Sequence, residues 1–402
     1  MTDFIETLIE RGLRDESTDL EALRALSRAN AIHLYIGFDL TADSLHVGSL
    51  IQMMVARWAL ATGNRVTILT GSFTTSIGDP TGRTSTRPIL TQEQIVINQI
   101  GIQNIIQNFL SDVPNHKNLS FQDNVNWLAN MTLKQFMLFA SNVSGNRLVN
   151  LKFVSDRLEA EQPITLGEML YPVVQGMDFF ALFDLGVNLQ VGGSDQWANI
   201  LQGVSMIKKI NNREAHALVT PLLTNAAGEK MGKTADGAVW LSANKLHPNE
   251  FFQFWRNVED DRVESFFKML TDLPLNVIAD QMAGDINQAK IALATAITTL
   301  VHGTHAAGKA VKNAETLFIR SGTSFEETDA ILIDGRATIA EMVAKLTGES
   351  VSQAKRLIEQ HAVKINDSRI VVNGSDLCSQ FGTDEKFMLS VGKKRRFVCK
   401  LF

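Results

Sequence analysis

Polar side chains crowd the end of a predicted strand near the start of the chain, in YIGFDLTADSLHVGS at residues 35–49. Asp39 and Asp43 precede His46 and Gly48, which fall in the first turn of the helix expected next. Helix N-termini present free backbone N–H groups, a histidine can donate to a phosphate, and a glycine lets a flat group approach the backbone. The pattern favours an anionic ligand at this turn. A capped helix with a surface histidine is the alternative, although a cap requires only one such polar residue.

A second strand-to-helix junction, LQVGGSDQWANI at residues 189–200, combines two glycines with polar side chains. Gly192 and Gly193 permit close backbone approach. Asp195 and Gln196 could hold ribose hydroxyls or polar base edges. A plain strand–turn–helix connection is the alternative. Because the pattern is not GxGxxG, it gives no indication of a nicotinamide dinucleotide site.

Cations occur in a glycine-rich segment, NAAGEKMGKTADGAVWL at residues 225–241. Lys230, Lys233 and Thr234 flank Gly232, and such a loop suits a polyphosphate that must be gripped during reaction and then released. The GxxxxGK[ST] spacing of a P-loop is absent from this segment. A solvated surface loop is the alternative.

A polar stripe is expected on one helix, YPVVQGMDFFALF at residues 171–183. Tyr171, Gln175 and Asp178 are spaced i, i+4 and i+7, so they share a face among apolar neighbours. Buried polar groups need partners, and a small polar ligand could be one, with a helix-packing network as the alternative. The chain has 22 Phe but only two Tyr, Tyr35 and Tyr171, and both lie in the stretches already selected.

These segments require a scaffold of alternating strands and helices. Short apolar runs alternate with helical patterns in the first half, which predicts a parallel sheet wrapped by helices. The predicted strands are 33–38, 65–70, 188–191 and 216–221, and the predicted helices are 46–61, 91–110, 166–183 and 195–210. From 249 to 320 the pattern is helical throughout. Two short helices and then short strands are expected after residue 337.

The composition limits the class of protein. The 402 residues are 45% hydrophobic and 20% charged, which is typical of a globular protein of two or three domains. No apolar run approaches the roughly 18 residues that a bilayer span needs, and no signal peptide is visible, so we expect a cytoplasmic protein with no membrane partner. Cys378 and Cys399 lack metal-ligand spacing. Residues 337–402 carry 11 Lys+Arg and 7 Asp+Glu, a basic balance that suggests a polyanion partner or an ordinary solvated surface.

Taken together, the motifs resemble those of class I aminoacyl-tRNA synthetases, and specifically of bacterial-type tyrosyl-tRNA synthetases. DLTADSLHVGS resembles the HIGH motif with its lead-in, VGGSDQW the nucleotide-binding GGSDQ segment, and KMGKT the KMSKS loop. YPVVQGMDF is similar to the Y-x-x-x-Q-x-x-D signature of the tyrosine pocket, and IGDPTGR to another pocket segment. Residues 337–402 resemble an S4-like RNA-binding domain. Ser49 departs from the family, because it stands where HIGH has its second histidine.

The resemblance implies an α/β fold: a Rossmann-like parallel-sheet catalytic domain, then an all-α module, then a small α+β S4-like domain. The implied bounds are 1–224 for the catalytic domain with a helical insertion, 225–248 for a KMSKS-like loop linker, 249–320 for a helical anticodon-recognition module, 321–336 for a linker, and 337–402 for the S4-like domain. The implied partners are L-tyrosine, ATP with Mg²⁺, tRNA(Tyr) and a second copy of the chain in a homodimer. No tightly bound protein metal is implied.

The resemblance also implies a role for each matching residue. The implied catalytic residues are His46, Lys230, Lys233 and Thr234. The implied tyrosine-binding residues are Tyr35, Thr74, Asp79, Tyr171, Gln175, Asp178 and Gln190. The implied ATP-binding residues are Gly37, Asp39, His46, Gly48, Ser49, Gly193, Asp195, Gln196 and Lys233. Within the tyrosine pocket, Tyr35 and Asp178 would hydrogen-bond the substrate's phenol, while Asp79, Tyr171 and Gln175 would hold its α-ammonium group.

Three other functions remain open from the sequence. A tryptophanyl-tRNA synthetase shares the fold and the phosphate motifs, although the pairing of Tyr35 with Asp178 and the S4-like tail argue for tyrosine. A non-catalytic RNA-binding relative would fit the change at Ser49, but Lys230 and Lys233 argue against it. Another nucleotidyltransferase on the same scaffold would need no RNA-binding tail.

Overall fold

The computed structural model describes residues 3–81, 90–225, 228, 230–234, 237–318, 331–365, 368–369, 376, 378, 387–392 and 395–401. For 233–234, 237, 315–318, 368–369 and 395–396 the description covers the backbone and not the side chains. The chain forms two compact units, Met1–Lys309 and Ala310–Phe402.

A six-stranded sheet lies at the centre of the first unit, in the order β1-β6-β5-β2-β3-β4. All neighbouring strands are parallel except β1, which runs antiparallel to β6. The strands are β1 (Glu16–Ser17), β2 (His33–Phe38), β3 (Arg65–Thr70), β4 (Leu119–Asp123), β5 (Leu189–Gly193) and β6 (His216–Thr220). A separate short hairpin pairs β7 (Lys233–Thr234) with β8 (Gly237–Ala238).

The burial of the central strands explains their apolar sequences. Every residue of β6 is buried, and in β3 only Arg65 is exposed, as expected for a parallel sheet covered by helices on both faces. The predicted parallel sheet is therefore confirmed, and the strand predictions 33–38 and 65–70 have the observed bounds. The predicted strand 188–191 starts one residue later and extends to Gly193. Neither β1 nor β4 was among the predicted strands.

Helices cover the sheet and continue beyond it. They are α1 (Phe4–Glu10), α2 (Leu20–Arg28), α3 (Leu50–Ala61), α4 (Ser72–Thr75), α5 (Gln92–Leu110), α6 (Val125–Leu128), α7 (Leu133–Ala140), α8 (Gly145–Val149), α9 (Lys152–Glu159), α10 (Leu166–Asp184), α11 (Trp197–Asn211), α12 (Pro248–Arg256), α13 (Val263–Leu270), α14 (Leu275–Met282) and α15 (Ile286–Phe318). Helix α15 is interrupted at Gly303, whose φ of 84° is not helical. No helix in the described part of the chain combines the length and apolarity that crossing a bilayer requires.

Two predicted helix starts are wrong by a few residues for the same reason. The chain passes through a short 3-10 turn before α3, at Val47–Ser49, and another before α11, at Ser194–Gln196. Each turn places polar residues between the strand and the α-helix that follows it. The predicted helix at 166–183 is confirmed as α10, whose start is fixed by a capping box between Thr165 and Glu168.

The second unit contains a small mixed sheet and two helices. The sheet order is β11-β10-β12-β13-β9, with β9 parallel to β13 and the other pairs antiparallel. Its elements are β9 (Ile331–Ile333), α16 (Ile339–Thr347), α17 (Val351–Glu359), β10 (Val363–Ile365), β11 (Ser368–Arg369), β12 (Phe387–Val391) and β13 (Arg395–Leu401). Strand β9 falls inside the predicted linker 321–336, because its short apolar run extends the sheet instead of connecting domains.

Candidate active site

A cavity of about 220 Å³ opens at the carboxyl ends of β2 and β5. The order of strands reverses between these two neighbours, since β3 and β4 follow on one side and β6 on the other. Ligands of open α/β sheets bind at such a switch point. Every residue predicted for amino-acid binding lines this cavity: Tyr35, Thr74, Asp79, Tyr171, Gln175, Asp178 and Gln190. Three residues predicted for ATP also line it: Gly37, Asp39 and Gln196.

One end of the cavity holds a buried carboxylate. Asp178 is 3% exposed, and it accepts hydrogen bonds from Trp127 Nε1 at 2.8 Å and from Asn124 Nδ2 at 3.1 Å. Burial raises the pKa of Asp178 to about 7, although both hydrogen bonds favour its charged form. Two donors therefore fix the orientation of an acidic group whose charge is costly to bury.

Two buried polar atoms at this cavity lack a partner. Tyr35 Oη and Gln190 Oε1 are both inaccessible to solvent, and neither has a hydrogen-bond partner among the described residues. Burial, and then the nearby charge of Asp178, raise the pKa of Tyr35 well above its usual value, so the phenol keeps its proton. Buried polar atoms are normally paired. A donor and an acceptor without a partner, on two residues that line the cavity, indicate a polar ligand.

Asn124 and Trp127 are functional candidates that the sequence did not reveal. Both follow β4, and Asn124 is completely buried. Asn124 Nδ2 also donates to Thr74 Oγ1 at 3.0 Å, while its Oδ1 accepts from the backbone N–H of Phe73 at 2.9 Å. The signal available was a polar run, QDN at residues 122–124, at the end of a strand that was not predicted. Without that strand, nothing in the sequence placed Asn124 beside Asp178.

The other end of the cavity carries two more carboxylates. The Tyr171 hydroxyl lies 3.3 Å from both Asp39 carboxylate oxygens, and Thr74 Oγ1 donates to Asp39 Oδ1 at 3.1 Å. Asp79 accepts from Gln196 Nε2 at 2.7 Å. The structure thus places Asp39 and Gln196, both predicted for ATP, in contact with residues predicted for the amino acid.

His46 belongs to the first predicted phosphate segment, and its ring lies against Gly232 of the second, glycine-rich segment. The backbone N–H of Gly48 donates to His46 Nδ1 at 3.1 Å, so in the neutral ring the proton resides on Nε2. A Cβ at Gly48 would approach His46 Cε1 to 2.8 Å, and one at Gly232, where φ is +121°, would approach His46 Nδ1 to 2.9 Å. Glycine is required at both positions to seat the ring. The cap of this turn is therefore His46 itself.

The glycine-rich segment is joined to the first motif by backbone hydrogen bonds. Val47 N donates to Val239 O, and Leu241 N donates to Leu45 O, both at 2.9 Å. Lys230 Nζ lies 2.8 Å from Asp195 Oδ2, so a predicted phosphate ligand pairs with a predicted ribose ligand. The backbones of Lys233 and Thr234 form β7, and their side chains lie outside the description.

The predicted residues therefore fall into two groups. The amino-acid group is assembled around one cavity. The other predicted ATP-binding and catalytic residues that are fully described are not among those that line it: His46, Gly48, Ser49, Gly193, Asp195 and Lys230. They lie instead on the two 3-10 turns, on the residues that precede them and on the glycine-rich segment.

Comparison with known proteins places this geometry in a family. Residues 27–319 match the family described as tRNA synthetases class I (W and Y). The chain is 39% identical to the tyrosine–tRNA ligase of Rhodospirillum rubrum, over 100% of this chain and 98% of that protein. It is 37% identical to the tyrosine–tRNA ligase of Rhodopseudomonas palustris, over 100% of this chain and 99% of that protein.

Solved structures agree with these relatives. The C-terminally truncated mitochondrial tyrosyl-tRNA synthetase of Aspergillus nidulans superposes with a TM-score of 0.73 and 27% identity, over 79% of this chain and 95% of that one. The tryptophanyl-tRNA synthetase of Plasmodium falciparum gives 0.54 at 15% identity over 76% of this chain and 84% of that one, a likeness of fold alone. The chain therefore belongs to the class I tRNA synthetases of the tryptophan and tyrosine family, as its motifs predict.

Proposed function

We propose that this chain ligates L-tyrosine to tRNA(Tyr) in two steps, with the cavity at β2 and β5 as its tyrosine site. The similarity to tyrosine–tRNA ligases along the whole chain bears out the predicted activity. The observation that carries the site assignment is the buried pair of Tyr35 and Asp178, which offers an unpartnered hydroxyl and an oriented carboxylate to one cavity.

The substrate's phenol would bind between these two groups. Its hydroxyl donates to the Asp178 carboxylate and accepts from Tyr35 Oη. Phenylalanine would leave both buried groups without a partner, which costs far more than a missing methyl group. Tyrosyl-tRNA synthetases are themselves the standard example of this discrimination. At the other end, Asp79, Tyr171 and Gln175 would hold the α-ammonium group.

The first step depends on how the substrates are positioned, and it needs no nucleophile from the protein. A carboxylate oxygen of tyrosine attacks the α-phosphorus of ATP, the bond to the β-phosphate oxygen breaks, and pyrophosphate leaves. Catalysis rests on holding the two reactants in line and on cations placed where charge grows on the leaving group. His46 Nε2, Lys230, Lys233 and Thr234 are proposed for that charge. A hydroxyl of the terminal adenosine of tRNA then attacks the activated carbonyl and releases AMP.

The contact between Lys230 and Asp195 suggests how nucleotide enters. Both side chains are partly exposed, at 56% and 30%, so their pairing is weak and exchangeable. We propose that, when ATP binds, the Asp195 carboxylate accepts hydrogen bonds from the ribose hydroxyls and Lys230 pairs with the phosphates. Binding of one substrate would thus replace an internal ion pair with two substrate contacts.

We propose that Mg²⁺ accompanies ATP and is held mainly through the phosphates. In the described part of the chain, no group of three or more His, Cys, Asp or Glu side chains could bind a metal ion. Asp39 and Asp195 are the acidic side chains that the sequence predicts for ATP binding. The ion would neutralise part of the negative charge of the ATP phosphates, while the protein's own cations stabilise the leaving pyrophosphate.

The second unit is proposed to bind tRNA, within the domain bounds predicted from the sequence. Lys355, Arg356 and Lys364 are exposed and could contact phosphates, so binding should weaken with salt. The basic run at 392–397 adds four more cations, Lys393, Lys394, Arg395 and Arg396, whose side chains lie outside the description. Deleting residues 337–402 should lower tRNA affinity while leaving tyrosine-dependent pyrophosphate exchange active.

We also propose a homodimer, in the cytoplasm. Helix α7 has no buried residue, and it exposes Leu133 by 76% and Leu138 by 62%; Leu166 at the start of α10 is 69% exposed. Exposed apolar side chains of this size indicate an interface, and a second copy of the chain is the partner that the family resemblance implies. Leu166→Asp should shift the sedimentation equilibrium mass from two chains to one.

The direct test of function is pyrophosphate exchange with each of the twenty amino acids. Tyrosine alone should support rapid exchange. Comparable exchange with tryptophan would favour the other branch of the family, and comparable exchange with phenylalanine would remove the role given to Tyr35 and Asp178.

A further inference from the structure

Four residues close a ring of hydrogen bonds beside the proposed ammonium site. Asn199 Nδ2 donates to Thr81 Oγ1 at 3.3 Å and to Gln196 Oε1 at 3.2 Å. The backbone N–H of Thr81 donates to Asp79 Oδ1 at 2.9 Å, and Gln196 Nε2 donates to Asp79 Oδ2 at 2.7 Å. The ring joins the loop after α4 to the first turn of α11.

Asn199 belongs to this ring but is not among the residues that line the cavity. Its side chain is 2% exposed, whereas Asp79 and Gln196 line the cavity. Both hydrogens of its amide nitrogen are directed at ring members, so its orientation is fixed. A buried amide with both donors committed can impose geometry on its acceptors.

The ring determines which end of the Gln196 amide meets Asp79. Because Gln196 Oε1 accepts from Asn199, Nε2 is turned toward the carboxylate. A reversed amide would set oxygen against oxygen. Each Asp79 oxygen accepts one internal hydrogen bond and retains capacity for a second. That capacity is directed at the cavity wall where the substrate's α-ammonium group is proposed to bind.

We propose that Asn199 is a positioning residue for tyrosine recognition: it fixes Gln196 and, through it and Thr81, the carboxylate of Asp79. This inference rests on the proposed function, since it needs tyrosine in the cavity. It acts only at the ammonium end, because the phenol end is held separately by Asn124 and Trp127. Loss of Asn199 should therefore weaken the binding of ligands that carry the ammonium group and spare those that carry only the phenol.

Three ligands separate the two ends. L-Tyrosine has both the phenol and the ammonium group, tyramine keeps the ammonium group but lacks the carboxylate, and 3-(4-hydroxyphenyl)propionate lacks the ammonium group. Dissociation constants are measured by calorimetry on the full-length wild type and on Asn199→Ala. We expect about tenfold weaker binding of tyrosine and tyramine to Asn199→Ala, and a change within about twofold for the propionate.

Two further variants control for folding. Thr81→Val removes one acceptor of the ring without touching α11, and it should weaken tyrosine and tyramine by about threefold. Gln202→Ala is the matched control, since Gln202 lies one turn further along α11, is 3% exposed, and has an Nε2 without a partner among the described residues. It should leave the ratio of the three affinities unchanged. If Asn199→Ala does not fold, Thr81→Val carries the test.

The outcomes separate this inference from the proposed function. Failure of the wild type to bind tyrosine contradicts the proposed function itself. Wild-type tyrosine binding with equal weakening of all three ligands in Asn199→Ala would make Asn199 merely structural and overturn the inference. Unchanged affinities in both Asn199→Ala and Thr81→Val would overturn it as well.

Discussion

The region around Asp178 and the region around Lys230 handle charge in opposite ways. Asp178 is 3% exposed and held by Asn124 and Trp127, whereas the Lys230 side chain is 56% exposed and paired with one carboxylate. A buried polar group cannot be solvated when a ligand fails to pair with it, so it discriminates strongly against ligands that lack the matching group. An exposed cation can change partners at little cost. The first arrangement suits choosing a substrate, and the second suits following charge during reaction.

The sharpest test of the buried region is Asp178→Asn. The new amide would direct a donor at Asn124 or Trp127, which are donors themselves, and would lose the charge that the phenol needs. We expect kcat/KM for tyrosine to fall about a thousandfold, as for other buried charged contacts broken on one side. Asp184→Asn, an exposed position on the same helix, is the control and should be neutral. Near-wild-type kinetics for Asp178→Asn would remove the contrast between the regions.

The matching test of the region around Lys230 is Lys233→Ala. Adenylate formation measured in a single turnover should slow about a hundredfold, because the cation proposed to stabilise the leaving pyrophosphate is lost. Tyrosine affinity should stay within about twofold, since the cavity is built from other residues. Lys208→Ala, which removes an exposed lysine paired with Glu214, is the control. Equal losses of tyrosine affinity and of the rate of adenylate formation in Lys233→Ala would contradict the division of roles between the two regions.

The pH dependence of tyrosine binding should report on the buried region alone. The pKa of Asp178 is raised to about 7 by burial, so the free protein loses its acceptor charge as the pH falls through 7. A substrate hydroxyl donates best to the ionised carboxylate. Tyrosine affinity should therefore fall about tenfold between pH 7.5 and 6. A flat profile of affinity over this range, measured by calorimetry, would contradict the role of Asp178.

The smallest expected effect is that of Lys230→Ala on the stability of the fold. Lys230→Ala should change the free energy of unfolding by less than about 1 kcal/mol, because it removes an exposed ion pair. Arg157→Ala breaks a pair whose partners are 4% and 7% exposed, with Glu168 at 2.9 Å, and should cost about 3–5 kcal/mol. Urea denaturation of both variants measures the difference. A large loss for Lys230→Ala would mean that the pair serves stability instead of exchange.

Local patterns could be predicted from the sequence, whereas contacts between distant elements could not. Strands β2 and β3 were predicted with their observed bounds because both are short apolar runs with polar neighbours, and Tyr171, Gln175 and Asp178 followed from helical spacing alone. β4 (LSFQD) was missed because polar residues interrupt its apolar pattern at the edge of the sheet. The partners of Asp178 were missed with it, since Asn124 and Trp127 are distant in sequence. Hydrogen-bond networks between elements require the three-dimensional arrangement.

A crystal soaked with L-tyrosine shows whether the cavity at β2 and β5 is the tyrosine site. We expect a phenol oxygen within hydrogen-bond distance of both Asp178 and Tyr35 Oη, with the ammonium group beside Asp79 and Tyr171. An empty cavity, or a tyrosine whose ring points away from Asp178, would contradict it.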